Sequence, residues 1–138
     1  MALPALQKGS SILQVSECRE GIGSKAFKNL LDIYNNDWKK FLKDIEADIG
    51  NTKLDQWEFQ MLCRVLDITD IDRLLFLSEG IPRDEQKQLC CTPVETDGNI
   101  SQSIESFIYQ YAADNIDAKI AVIPSGPYTI IRNRKQGN

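Results

Sequence analysis

Gly21-Ile22-Gly23-Ser24 sets a glycine turn directly before a stretch with helical periodicity. Such a turn presents backbone N–H groups at a helix start and can receive a carboxylate or phosphate, although the same spacing also makes an ordinary tight turn. Glu17, Arg19 and Glu20 share this loop, where they either orient a polar ligand or simply solvate it. Asp55, Gln56, Trp57, Glu58 and Gln60 form a denser polar cluster around an indole, which is either a core or interface anchor or a wall of a cleft. The cysteines offer less. Cys18, Cys63, Cys90 and Cys91 are separated by 45, 27 and 1 positions, which match no CxxC pair and no zinc ribbon. Adjacent Cys90 and Cys91 raise a thiol-sensor reading, but Lys87 is their one cationic neighbour, and paired cysteines in a loop are usually incidental.

The chain has no histidine, so a self-sufficient histidine-based triad or a histidine-ligated zinc or nickel centre cannot form within it. Its 138 residues amount to a little under one average domain. With 26% charged and 42% hydrophobic residues, the composition excludes disordered, collagenous and coiled-coil classes. A net charge of −4 argues against nucleic acid, which needs a Lys/Arg stripe; the basic residues Arg132, Arg134 and Lys135 belong to a tail, 132–138, expected to be disordered. Pro4 and Lys8 break any export signal, no run approaches 18 apolar residues, and scattered cysteines in an acidic chain fit a reduced, cytoplasmic protein without membrane contact.

The elements that must position these residues read as alternating strands and helices. Ile12 to Ser16 and Leu74 to Ser78 are short apolar runs that predict strands covered on both faces, and Lys119 to Ile123 predicts a third. Ser24 predicts a helix cap ahead of Phe27, Leu30, Leu31 and Tyr34, and Trp38, Phe41, Leu42, Ile45 and Ile49 continue a second amphipathic stretch to Gly50. A third helix is expected from Asn51 or Thr52 through Trp57, Met61, Leu62, Val65 and Leu66. A polar helix at 84–89 follows, then a loop from Cys90 to Asn99, then a helix capped by Ser101 with Ile104, Phe107, Ile108, Tyr111 and Ala112 inward. Tyr128 to Ile131 is expected to be extended. Strand–helix alternation calls for crossovers and parallel pairing, hence one α/β domain over 1–138, a three-layer arrangement with a small, mostly parallel sheet flanked by helices. Ligands of such sheets sit beyond the carboxyl ends of the strands, which singles out the loops at 17–23, 78–82 and 124–127.

Three stretches, taken in order, carry a resemblance: Gly9 through Val15-Ser16-Glu17-Cys18 to Gly21-Ile22-Gly23, Asp55-Gln56-Trp57-Glu58-Phe59-Gln60-Met61-Leu62, and Ala121-Val122-Ile123-Pro124-Ser125-Gly126-Pro127-Tyr128-Thr129. Together they resemble the C-terminal domain of the nickel-dependent lactate racemase family. The resemblance implies a two-domain parent that racemises or epimerises small 2-hydroxy acids with a nickel pincer nucleotide, whose ring takes hydride from the substrate and returns it while histidines act as acid and base. The attaching lysine, the nickel ligands and the catalytic histidines belong to the N-terminal catalytic domain, so this segment is implied to hold no cofactor, metal ligand or catalytic residue itself.

Carried over position by position, the resemblance puts Glu17, Arg19, Gly21, Gly23, Trp57 and Gln60 at the substrate and cofactor cleft between domains. Lys8 lies too close to the first strand to take the role of the family's substrate-contacting lysine. Asp55 stands where family members often carry histidine, which implies a different substrate or pocket. With 138 residues, the chain looks like roughly the last third of an enzyme, inactive alone and prone to self-association through the face that its partner domain would cover. The rival readings are a stand-alone α/β module that binds an anion at its strand-end loops, and a dimerisation domain with Trp38, Phe41 and Trp57 between chains.

Overall fold

The computed structural model describes residues 6–129 and residue 131. The first strand, β1 (Ile12–Val15), is followed by three helices, α1 (Lys25–Tyr34), α2 (Trp38–Ala47) and α3 (Gln56–Thr69). A single 3-10 turn at Ile71–Arg73 leads into β2 (Leu74–Leu77), and a short helix, α4 (Arg83–Gln86), into β3 (Thr92–Pro93). α5 (Ile100–Asp114) and a 3-10 turn at Gly126–Tyr128 complete the described elements. The chain divides into two compact units at the Glu95–Thr96 boundary, one of them Lys8–Glu95 and the other containing α5.

Lys8–Glu95 is an α/β unit. Its sheet runs β1-β2-β3, all parallel, with Ile12 opposite Leu74, Val15 opposite Leu77, Leu75 opposite Thr92 and Phe76 opposite Pro93. The α/β class and the parallel pairing agree with the sequence; the third strand does not. It lies at Thr92–Pro93, inside the stretch expected to be loop, where a proline that cannot donate is tolerated because it ends an edge strand. Lys119–Ile123 forms no strand, and Ile120 and Val122 stay exposed. An apolar run shows what a segment can bury, but a ladder also needs a neighbour, and none is paired with it among the described residues. β2 is buried along its length apart from half-buried Leu75, whereas Gln14 and Val15 of β1 are exposed because that strand forms an edge.

The helices explain themselves locally. Ser24 accepts from the Phe27 N–H as the cap of α1, and Leu30, Leu31 and Tyr34 turn inward. Asn35 and Asn36 both adopt left-handed backbone, which reverses the chain within two residues, and Asp37 then caps α2 through Lys40 N–H. Phe41 stacks on Phe59 of α3 with centroids 4.2 Å apart, and Tyr34 meets both rings edge-on. Trp38 and Phe41 are thus core residues of a single chain, which removes them from any dimer interface. α3 begins at Gln56, later than expected, since the preceding residues have only Leu54 to bury and it is exposed.

The unit containing α5 is less packed. Asn99, and not Ser101, caps α5 by accepting from Gln102 N–H, because Gly98 in left-handed backbone delivers Asn99 to the cap position. Ile104, Phe107, Ile108 and Tyr111 form a half-buried stripe, Ala112 is exposed, and no residue of the helix is fully buried. Tyr128 ends the 3-10 turn and does not begin an extended segment; Ile130 and the expected tail at 132–138 lie outside the described residues.

Candidate functional site

The carboxyl ends of β1 and β2 lie side by side, and the loops that leave them are joined backbone to backbone. Ser16 N–H donates to Leu77 O at 3.1 Å, extending the ladder by one step. Glu17 O then accepts from Gly80 N–H at 3.0 Å and from the Ser78 hydroxyl at 3.4 Å. The approach is close enough to require glycine: a Cβ on Gly80 would lie 2.1 Å from Cys18 O and 2.4 Å from Glu17 O. A Gly-Ile-Pro sequence announces a turn, but it carries no sign of the neighbour that turn must accommodate.

Cys18 adopts left-handed backbone at the tip of β1 and its half-buried thiol donates to Ser16 Oγ at 3.2 Å. Gly21 and Gly23 follow, also left-handed, with nothing within 4 Å of an added Cβ; their backbone angle, not crowding, calls for glycine. Gly21 N–H donates back to Cys18 O at 2.9 Å, so this N–H closes the turn instead of awaiting an anion. Glu17 and Arg19 pair at 2.5 Å, both exposed. An exposed pair of this kind adds little stability and leaves both side chains available at the loop surface.

Beneath this loop an apolar cavity of about 380 Å³ is lined by Cys18, Gly21, Ile22, Gly23, Phe27 and Leu62, with Phe76 of the sheet and Ile81 behind them. Gly21 and Gly23 of the expected site therefore border one cavity, while Trp57 and Gln60 do not. Trp57 is 63% exposed and Leu54, three residues before it, is 76% exposed; Gln60 is half-buried one turn further along α3. The indole thus lies outside the core and outside this cavity.

One contact links the two regions. Ser24 Oγ donates to Asp55 Oδ2, so the residue that ends the glycine loop is tied to the residue that starts α3. Asp55 has left-handed backbone and makes no cap bond to its own helix; its carboxylate is committed to the loop. Sequence spacing could flag Asp55 as part of a polar cluster, but not a partner 31 positions away. Nothing in the sequence singles out Gln86, since a glutamine in a polar helix has no distinctive pattern.

The donor set does not fit a nickel centre. No histidine is present, and no group of three His, Cys, Asp or Glu among the described residues is placed to hold a metal ion. Burial pushes the Cys63 and Cys91 thiols up to about 11, and burial with the neighbouring Cys63 and Cys91 pushes Cys90 up to about 12. These three are protonated at neutral pH.

Residues 2–131 match the family model described as the lactate racemase C-terminal domain. The chain is 26% identical over 130 residues to the lactate racemase of Thermoanaerobacterium thermosaccharolyticum, a match covering 94% of this chain and 28% of that protein. It therefore spans little more than a quarter of that relative's length. No solved structure matches.

Proposed function

The chain belongs to the lactate racemase C-terminal domain family, and from that premise we propose that it is the C-terminal α/β domain of a 2-hydroxy acid racemase or epimerase. The observation that carries the reading is the family match across residues 2–131, which includes both the glycine loop and the Trp57 helix. An N-terminal catalytic domain of the same protein holds the nickel pincer nucleotide and the acid–base residues. This chain supplies the opposing wall of the cleft. Its role is to bind, orient and exclude water, and no proton or hydride step passes through its own residues.

Three features support that role. The strand-end loops carry an exposed carboxylate and guanidinium, Glu17 and Arg19, suited to a small polar substrate. Gly21 and Gly23 shape a cavity mouth, and Trp57 with Leu54 offers apolar surface that a second domain would cover. The four cysteines are free thiols, which fits a reducing cytoplasmic setting, and no helix among the described residues is long and apolar enough to cross a membrane.

The test is reconstitution. The chain alone is expected to give no racemisation of lactate or other small 2-hydroxy acids, and adding the cofactor-loaded N-terminal domain is expected to restore it; turnover by the chain alone overturns the reading. Trp57→Ala separates the cleft from the dimer. It is expected to shift stability by less than about 0.5 kcal/mol, since the indole is mostly exposed, while lowering turnover of the reconstituted enzyme. Light scattering of the isolated chain should show concentration-dependent self-association that the N-terminal domain suppresses.

A further inference from the structure

Gln86, in α4, is 5% exposed, and its Nε2 donates to Ser78 O at 3.0 Å and to Ile81 O at 2.7 Å. Its Oε1 is buried with no hydrogen-bond partner. The orientation is dictated by the acceptors: only the NH2 end of the amide can face two carbonyls, and the reverse would set oxygen against oxygen. A buried acceptor left without a donor is unfavourable, so the arrangement persists only because the two bonds at the other end of the amide matter more.

Those two bonds grip the turn that meets the end of β1. Ser78 and Ile81 bracket Gly80, whose N–H reaches Glu17 O, and Ser78 sends its hydroxyl to the same oxygen. Gly80 also sits against Cys18 O with no room for a side chain. We propose that Gln86 is a positioning residue for the candidate site: by holding Ser78 O and Ile81 O it fixes the β2-end turn, and through Gly80 and Ser78 it fixes the Glu17–Gly23 loop at the cavity mouth. The role follows from loop geometry alone and does not depend on the reaction proposed above.

Two measurements on the full chain test it. In the unaltered protein, the Gln86 side-chain NH2 and the Gly80 N–H should exchange with solvent at least about tenfold more slowly than the side-chain amide of exposed Gln102. Gln86→Met keeps length and removes both donors; it should raise Gly80 exchange and the alkylation rate of Cys18 at least about tenfold while unfolding stays cooperative. Thr69→Val, which removes a hydroxyl bond to Val65 O in α3, supplies the comparison and should leave Cys18 alkylation unchanged. The proposal fails if the Gln86 amide exchanges as fast as that of Gln102. It also fails if Gln86→Met leaves both rates within about twofold of the unaltered protein, or if Thr69→Val accelerates Cys18 equally. Should Gln86→Met not fold, the exchange of the unaltered protein decides alone.

Discussion

Cysteine spacing excludes familiar metal and redox motifs, and the structure adds what spacing cannot: which thiols water can reach. Cys90 is fully buried in left-handed backbone, its N–H held by Asn36 Oδ1, although its sequence neighbourhood reads as loop. Cys63 and Cys91 are buried as well, leaving Cys18 as the one half-buried thiol. A small alkylating reagent at pH 8 should therefore modify Cys18 first and reach the others only on unfolding, as mass mapping of the adducts would show. The same burial predicts a pH effect. A thiol ionising at 9.0 when unfolded but near 11 or 12 when folded favours the folded state only while both forms stay protonated. Its contribution is complete below pH 9 and is lost as pH rises through the folded values, so these thiols should lower the urea midpoint between about pH 9 and 11. A Cys63→Ala, Cys91→Ala chain with a midpoint equally sensitive over that interval would contradict this.

At the scale of elements, helices were more legible than strands. The 3, 4 and 7 spacing of Phe27, Leu30, Leu31 and Tyr34 is a property of one segment, and Ser24 marks its start. A strand exists only in its pairing, which is why the apolar run at Lys119–Ile123 predicts a strand that does not form, while Thr92–Pro93, with no such run, pairs with β2. The site was legible to the same extent: glycines mark its loops, but their joining through Glu17 O depends on Ser78 and Gly80, more than 60 positions away. Two substitutions separate these kinds of information. Asn35→Gly answers a local demand, a left-handed C-cap, and should raise stability by about 0.5–1 kcal/mol in urea unfolding. Gly80→Ala meets a tertiary one. Its Cβ would overlap backbone that cannot move aside as a side chain would, so a loss of about 1–3 kcal/mol or more is expected. If Gly80→Ala were neutral, the two loops would not be packed as described.

At the scale of the whole molecule, the two units differ in what holds them. Among the described residues, Lys8–Glu95 contains every residue of the buried core, including the Tyr34, Phe41 and Phe59 cluster and the hydrogen-bonded sheet. α5 has only a half-buried stripe and no fully buried residue, and a helix of 15 residues with so little burial is marginal in water. Amide exchange should therefore show α3 opening only with global unfolding and α5 opening at a much smaller free energy. A chain reduced to residues 8–95 should keep a single cooperative thermal transition, whereas 96–138 alone should lose most of its helical circular dichroism. The contrast bears on the proposed enzyme, because apolar surface left exposed around Trp57 and along 120–122 gains burial only from something outside its own unit. If the N-terminal domain supplies that burial, its addition should raise the protection of Trp57 and of residues 119–123 while leaving the already buried α3 core unchanged. Protection that appears equally on raising the concentration of the chain alone would assign those surfaces to self-association.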